Sequence, residues 1–66
     1  MKIQLNGKDK QIKPETSLKQ LIESEGMAGK RLAAEVNQEI ITKSEHATFM
    51  LSDGDIIEIV HAIGGG

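Results

Sequence analysis

The chain has 66 residues, of which 38% are hydrophobic and one, Phe49, is aromatic, and its formal net charge is −2. A chain of this length forms one domain that buries only about 60% of its unfolded surface, which leaves no room for an enclosed substrate cleft and argues against an enzyme. The absence of cysteine excludes a disulfide framework, a thiolate nucleophile and a Cys-ligated metal.

The two histidines, His46 and His61, lie apart in sequence and lack the matched spacing of metal ligands, so we expect no metal site. No charged segment followed by an apolar stretch opens the chain, and its apolar runs are too short to cross a bilayer. We therefore expect a cytoplasmic protein without a signal peptide or a membrane span.

Charge is distributed unevenly along the chain. Residues 1–20 carry five lysines against two acidic residues, whereas residues 44–66 carry four acidic residues and no lysine or arginine. An acidic C-terminal third would repel phosphates, which argues against nucleic-acid binding, and it suits docking on a basic protein surface. The alternative is that these charges only solvate an exposed face.

The first residues predict a β-hairpin. Ile3 and Leu5 alternate with polar residues, which is the period of a half-buried strand. Asn6-Gly7 is a strong signal for a two-residue turn because both residues tolerate positive φ. The second strand is expected within residues 8–13, where lysines and a following proline suit a sheet edge.

A short amphipathic helix is predicted next. Thr16 or Ser17 can cap its N-terminus, and Ser17 and Gln20 have the spacing of a capping box. Gly26 is placed to end the helix in the left-handed conformation. So short a helix is stable only when its apolar side packs against a sheet, and that side consists of Leu18, Leu21 and Ile22.

Two more strands are predicted in the middle of the chain. Residues 31–36 alternate in hydrophobicity, and a weaker turn signal at residues 37–38 leads to another strand over residues 39–42. Residues 42–50 show neither period, which predicts a loop or a single helical turn. The side chains expected to face the core here are Leu32, Ala34, Val36, Phe49 and Leu51.

The last predicted strand is the most apolar element of the chain. It follows Asp53-Gly54-Asp55, a strong turn signal in which aspartate bonds nearby backbone and glycine supplies positive φ. Residues 56–60 are rich in β-branched side chains and apolar on both faces, which is typical of a central strand.

The order strand, strand, helix, strand, strand, turn, strand is α+β in class. If the first and last strands pair in parallel at the centre, one helix packs on a four- to five-stranded mixed sheet, and the architecture is a β-grasp, or ubiquitin-like, fold. We expect this domain to span residues 1–63 and a flexible glycine tail to span residues 64–66.

The tail, Gly64-Gly65-Gly66, follows the apolar strand without a polar spacer. A glycine run is bare backbone that can enter a slot too narrow for any Cβ. The terminal carboxylate is ionised at neutral pH, so it can attack an activated phosphorus atom without a general base. A frayed end is the alternative, since termini are often disordered, but the placement favours a domain that serves as a handle for its tail.

Together these features resemble the ubiquitin-like sulfur carriers of the ThiS/MoaD-like family. The likeness spans the whole chain, and length favours the ThiS branch of thiamine biosynthesis over the longer small subunits of molybdopterin synthase. Family tails usually end in two glycines, so the role of the third stays open. The specific motifs are Asn6-Gly7, Val36-Asn37, Asp53-Gly54-Asp55 and Gly64-Gly65-Gly66.

The resemblance implies a protein co-substrate, not an enzyme. The Gly66 carboxylate would be adenylated with ATP inside an E1-like, ThiF-like adenylyltransferase, with Gly64 and Gly65 entering the partner's active site alongside it. Sulfur from a cysteine desulfurase would then displace AMP, and a ThiG-like thiazole synthase would take sulfur from the resulting thiocarboxylate. The carrier itself is expected to bind no cofactor, because ATP is held by the partner.

The acidic C-terminal third predicts which residues dock on the partner: Asp53, Asp55 and Glu58, together with Ile63 beside the tail. Docking through exposed charges should weaken with salt, which screens them beyond about 8 Å at physiological ionic strength. Two alternatives stay open. A molybdenum-cofactor carrier or a protein-conjugating modifier has the same tail chemistry, whereas a pure interaction module docks by its sheet and has a dispensable tail.

Overall fold

The computed structural model describes residues 1–28 and 31–61, over which five strands form one sheet with a helix packed across one face. The strand order is β2-β1-β5-β3-β4, so β5 lies at the centre between β1 and β3. The strands are β1 (Lys2–Leu5), β2 (Lys8–Gln11), β3 (Leu32–Val36), β4 (Glu39–Ile41) and β5 (Ile56–His61); the helix is α1 (Leu18–Ser24), and a 3-10 helix spans Lys43–Glu45.

The central pairing meets the condition on which the predicted β-grasp fold depends. β1 and β5 run parallel, with Gln4 opposite Ile56 and Leu5 opposite Ile57. β3 runs antiparallel to β5 along its whole length, and β2 lies at an edge, as expected from its lysines. The α+β class, the mixed five-stranded sheet and the β-grasp architecture are therefore confirmed. The predicted boundary between a domain at residues 1–63 and a tail at residues 64–66 lies outside the described residues.

Both hairpin turns pass through the left-handed region of backbone space. Asn6 and Gly7 have φ of 49° and 84°, and Asn37 and Gln38 have φ of 53° and 70°. Asparagine tolerates this region better than most residues because its short side chain bonds local backbone, whereas glutamine has no such advantage. The missing glycine explains why the second turn gives a weaker sequence signal although it forms the same kind of bend.

The predicted helix ends are confirmed. Ser17 Oγ accepts a hydrogen bond from the Gln20 N–H at 3.1 Å, and Gln20 Oε1 accepts one from the Ser17 N–H at 2.8 Å, which completes the capping box. Gly26 follows the helix with φ of 74°. The N–H of Gly26 bonds Glu23 O and the N–H of Met27 bonds Ile22 O, which is the pairing of a Schellman motif.

The core between α1 and the sheet is aliphatic. Leu18, Leu21 and Ile22 of the helix are at most 5% exposed, which is the burial that a seven-residue helix requires. Each such side chain contributes about 1.5–3 kcal/mol when fully buried. The predicted inward residues also contact this core: Ala34, Val36 and Leu51 are buried, and Leu32 and Phe49 are partly buried.

The sheet face opposite α1 has no covering layer among the described residues. On β5, Ile57 and Ile59 point into the core at 0% and 4% exposure, whereas Ile56 and Val60 are 49% and 57% exposed. The strand order confirms that β5 is central, as predicted, but the described part of the chain leaves its second apolar face exposed. The reason is architectural, since a single helix can cover only one face of the sheet.

Candidate functional site

The candidate site is built around β5, because this strand leads from the Asp53-Gly54-Asp55 turn towards the C-terminal segment. The strand is bonded to both neighbours over its first residues. The N–H groups of Gln4 and Asn6 donate to Asp55 O and Ile57 O, each at 2.9 Å. The predicted site residues Ile63, Gly64, Gly65 and Gly66 lie outside the described residues.

Two asparagine side chains add hydrogen bonds to β5 from opposite sides. Asn6 Oδ1 accepts a bond from the Ile59 N–H at 2.9 Å, on the β1 side. Asn37 Oδ1 accepts a bond from the Ile56 N–H at 2.9 Å, on the β3 side. Both asparagines lie in turns at the ends of the neighbouring strands. They therefore bond β5 at positions where its regular backbone hydrogen bonding to β1 and to β3 ends.

The turn before β5 uses its two aspartates as backbone acceptors. Asp53 Oδ1 accepts a hydrogen bond from the Lys2 N–H at 2.7 Å, which joins the turn to the start of β1. Asp55 Oδ2 accepts one from the Ser52 N–H at 2.7 Å, and Asp55 Oδ1 accepts one from Asn37 Nδ2 at 3.0 Å. Both carboxylates are thus engaged within the chain and stabilise the start of β5.

Glu58, the third acidic residue predicted to dock, has a different environment. It is exposed on the outward side of β5, between Ile56 and Val60. Its partner across the sheet is Glu35 of β3, and the neighbour of Glu35 on β4 is Ile40, which is 69% exposed. We call these five residues, Glu35, Ile40, Ile56, Glu58 and Val60, the open sheet face.

The open sheet face is acidic at its centre and aliphatic around it. Glu35, Ile56 and Glu58 line a cleft of about 250 Å³ together with the turn residues Asn37 and Gln38. Within residues 1–28 and 31–61 the ion pairs are Lys2–Asp9 at 3.2 Å and Lys10–Glu25 at 2.8 Å. Neither of the two central carboxylates has a basic partner in that part of the chain.

The structure buries His46 and does not describe the His61 side chain. His46 is 8% exposed, and its Nε2 lies 3.0 Å from Ile41 O, a carbonyl oxygen that accepts a hydrogen bond from the Nε2–H tautomer. In the described part of the chain no three His, Asp or Glu side chains are grouped closely enough to hold a metal ion. No helix in residues 1–28 or 31–61 is long and apolar enough to cross a membrane.

Sequence reasoning did not identify four of the residues at this site. Glu35 and Ile40 complete the open sheet face. Side chains alternate between the two faces of a strand, so the residues between the predicted inward positions could have been identified as outward-facing. Asn6 and Asn37 were identified as turn residues only. Their bonds to β5 join segments far apart in sequence, so no local pattern reveals them.

Comparison of the sequence with known proteins gives a consistent result. Residues 3–66 match the model of the ThiS family. The chain is 43% identical over 65 residues to the sulfur carrier protein ThiS of Bacillus subtilis, a match that covers 97% of this chain and 98% of the relative. It is 36% identical over 66 residues to the thiazole synthases of Paramagnetospirillum magneticum and Magnetococcus marinus, and it spans 20% of the length of each.

The structural comparison agrees in fold. A crystal structure of the thiamine biosynthesis protein ThiS from Geobacter metallireducens superimposes with a TM-score of 0.86 at 23% identity, and all of both chains is covered. A solution structure of a thiamine biosynthesis protein from the same organism gives a TM-score of 0.79 at 23% identity, with 88% of that chain covered. By its near full-length sequence match, the chain belongs to the ThiS family.

Proposed function

We propose that this chain is a sulfur carrier of thiamine biosynthesis, whose C-terminal glycine is activated, loaded with sulfur and then unloaded for thiazole formation. The observation that carries the proposal is the 43% identity, over nearly the full length of both chains, to a protein named as the sulfur carrier ThiS. The chain is a substrate of other enzymes in this scheme. Residues 1–63 act as the recognised domain, and Gly64, Gly65 and Gly66 act as the reacting tail.

The proposed chemistry is acyl activation followed by sulfur transfer. A carboxylate oxygen of Gly66 attacks the α-phosphorus of ATP bound to an E1-like, ThiF-like adenylyltransferase, and pyrophosphate leaves. The terminal sulfur of a persulfide, supplied by a cysteine desulfurase, attacks the carbonyl carbon of the acyl-adenylate, and AMP leaves. A thiol then cleaves the sulfur–sulfur bond, which forms a disulfide and frees the thiocarboxylate.

We assign the docking of the adenylyltransferase to the open sheet face. This surface combines exposed aliphatic side chains with the Glu35–Glu58 pair, which suits an apolar partner surface that presents an arginine or lysine. β5 carries three residues of this face and also leads to the tail. From Val60, the six residues to Gly66 reach about 20 Å when extended, so a partner docked on β5 can hold the tail in its own active site.

The hydrogen bonds of the turn reduce the number of predicted docking residues that are free to contact the partner directly. Glu58 remains in the proposed docking surface, and Ile63 is proposed to enter the mouth of the partner's channel beside the glycines. Asp53 and Asp55 accept hydrogen bonds within the chain. We propose that these two aspartates act on docking mainly through the position of β5 and through long-range attraction of a basic partner.

A thiazole synthase of the ThiG type is the proposed sulfur acceptor. Two relatives named as thiazole synthases each contain a stretch similar to the whole of this chain. A carrier domain within such a chain is consistent with direct delivery of sulfur to that enzyme. The scheme takes place in the cytoplasm, where ATP is supplied, and the carrier itself needs no cofactor.

Release of pyrophosphate from ATP tests the activation step. We would mix the chain with a ThiF-type adenylyltransferase and ATP, without any sulfur donor, and compare it with a variant that lacks Gly65-Gly66. The full-length chain is expected to release pyrophosphate, and the truncated chain is not. Equal release from both would favour a pure interaction module, whose tail is dispensable.

A further inference from the structure

Asn6 and Asn37 occupy corresponding places on either side of the strand that leads to the tail. Asn6 follows β1 and Asn37 follows β3, and both have a left-handed backbone with φ of 49° and 53°. Each directs a side-chain oxygen to a backbone N–H of β5, at Ile59 and Ile56 respectively. The turns alone would not require these bonds, because glycine also satisfies the same backbone geometry.

The Asn6 side chain continues a ladder that the backbone cannot. The parallel pairing of β1 with β5 uses the N–H groups of Gln4 and Asn6, which bond Asp55 O and Ile57 O. The next hydrogen bond of the ladder would be donated by the Ile59 N–H to the backbone of Asn6, but the chain turns away at Asn6 towards β2. Asn6 Oδ1 accepts that bond and so extends the β1–β5 pairing to Ile59.

Asn37 holds the other end of β5 from the β3 side. Its backbone N–H donates to Ile56 O at 2.7 Å, and its Oδ1 accepts from the Ile56 N–H. Its Nδ2 donates to Asp55 Oδ1, whose other oxygen holds the turn at Ser52. The amide group must therefore accept at one atom and donate at the other, which a carboxylate cannot do.

We propose that Asn6 and Asn37 are positioning residues for the adenylation reaction, because they fix β5 and so set the point from which the tail enters the partner. This inference rests on the proposed function. The open sheet face includes Glu35 of β3 and Ile40 of β4, whereas the tail follows β5 alone, so a shift of β5 against β3 moves the tail relative to the rest of the docked surface. A misplacement of about 1 Å at a reacting group can lower the rate about 100-fold.

Replacement of Asn6 by glycine and by aspartate tests the β1 side. Asn6→Gly keeps the positive φ but loses the acceptor, whereas Asn6→Asp keeps the acceptor. With a cysteine desulfurase, cysteine and a thiol added to the pyrophosphate assay so that the acyl-adenylate turns over, we expect Asn6→Gly to lower kcat at least about tenfold with KM changed less than about twofold. Asn6→Asp should be close to wild type. Amide exchange of Ile59 should be faster in the glycine variant alone.

The matched control is Ser17→Ala, which also removes one side-chain oxygen that accepts from a backbone N–H, here that of Gln20. This contact lies at the start of α1, away from β5. The control should leave kcat unchanged at a temperature where circular dichroism shows all variants folded. A fall in kcat equal to that of Asn6→Gly would show that general loss of stability is the cause and would overturn the positioning role.

An exchange of functional groups tests the β3 side. Asn37→Asp places a second carboxylate against Asp55 and should lower kcat. The double variant Asn37→Asp, Asp55→Asn restores one donor and one acceptor between the two residues and keeps an acceptor for the Ser52 N–H. We expect it to recover most of the lost kcat. Failure of this rescue, with both chains folded, would overturn the role of Asn37.

Pyrophosphate release by the wild-type chain distinguishes a failure of the positioning role from a failure of the proposed function. If the wild type releases pyrophosphate and Asn6→Gly has the same kcat, the positioning role is overturned and the proposed function stands. If the wild type never releases pyrophosphate with ThiF-type enzymes, both are overturned.

Discussion

Glu35 and Glu58 lie directly opposite each other in the antiparallel pair of β3 and β5, on the sheet face that α1 leaves open. Like charges at this separation are destabilising, because cross-strand neighbours on one face lie close together. The chain thus carries an unfavourable pair beside the exposed aliphatic side chains of Ile40, Ile56 and Val60. A basic group of a partner would relieve the repulsion, which makes the pair a test of docking.

Neutralising Glu35 and Glu58 should weaken binding to the partner without lowering the free energy of unfolding. We expect Glu35→Gln and Glu58→Gln to leave the free energy of unfolding unchanged or raise it by up to about 1 kcal/mol, since they remove repulsion. Both should weaken binding to the adenylyltransferase and flatten its salt dependence. Calorimetric titration across a salt series measures this. Glu23→Gln, on the exposed side of α1, is the control, and an equal effect from it would exclude a local docking role for the pair.

The aliphatic part of the open sheet face should contribute to affinity without contributing much to stability. Ile40 and Val60 are 69% and 57% exposed. Ile40→Thr and Val60→Thr keep a β-branched side chain, and together they should raise Kd about tenfold, which corresponds to about 1.4 kcal/mol. Met50, which is 48% exposed outside this face, provides the control Met50→Thr. Unchanged affinity in the double variant would move the docking surface elsewhere.

Replacing a turn aspartate should lower the stability of the chain, whereas replacing Glu58 should affect it much less. Asp55→Ala removes the acceptor for the Ser52 N–H and for Asn37 Nδ2, and a hydrogen bond to a charged group contributes about 1.5–3 kcal/mol. We expect the variant to lose about 1–3 kcal/mol in urea unfolding. Glu58→Ala should lose clearly less. Equal losses from the two substitutions would contradict the structural role of the turn aspartate.

The C-terminal cap of the helix should matter for stability alone. Gly26 has φ of 74°, and a Cβ built there meets open space, so the cost of Gly26→Ala is one of backbone strain and not of collision. We expect a loss of about 1 kcal/mol in the free energy of unfolding. The rate of pyrophosphate release should be unchanged while the chain is folded. A selective fall in that rate would indicate that α1 contacts the partner.

Local signals allowed much of the fold to be predicted. Ser17 with Gln20, Gly26 and the Asn6-Gly7 turn each act within a few residues, so their spacing predicts the structure that forms. The strand order gives a β-grasp fold if β1 and β5 pair in parallel at the centre, and the structure meets this condition. These features decide the β-grasp architecture.

The site was harder to predict because it depends on contacts between distant segments. Glu58 was expected to face a partner, and it does lie on an exposed face, but the opposing Glu35 follows only from the register of β3 against β5. The sequence predicts Asp53 and Asp55 as docking charges because it shows the carboxylates but not the backbone N–H groups that donate hydrogen bonds to them. Those donors, at Lys2 and Ser52, depend on how the turn folds against β1.

Loading of sulfur onto the chain tests the central claim most directly. We would incubate the full-length chain, a Gly65→Ala variant and a chain lacking Gly65-Gly66 with a ThiF-type enzyme, ATP, a cysteine desulfurase, cysteine and a thiol, and then measure intact masses. Only the full-length chain should exchange one terminal oxygen for sulfur efficiently. In Gly65→Ala, the added methyl group would clash in a channel fitted to bare backbone. The truncated chain lacks the Gly66 carboxylate that reacts. The truncated chain should unfold at the same temperature as the full-length chain. Sulfur on the truncated chain, or none on the full-length chain, would contradict a sulfur carrier that reacts at Gly66.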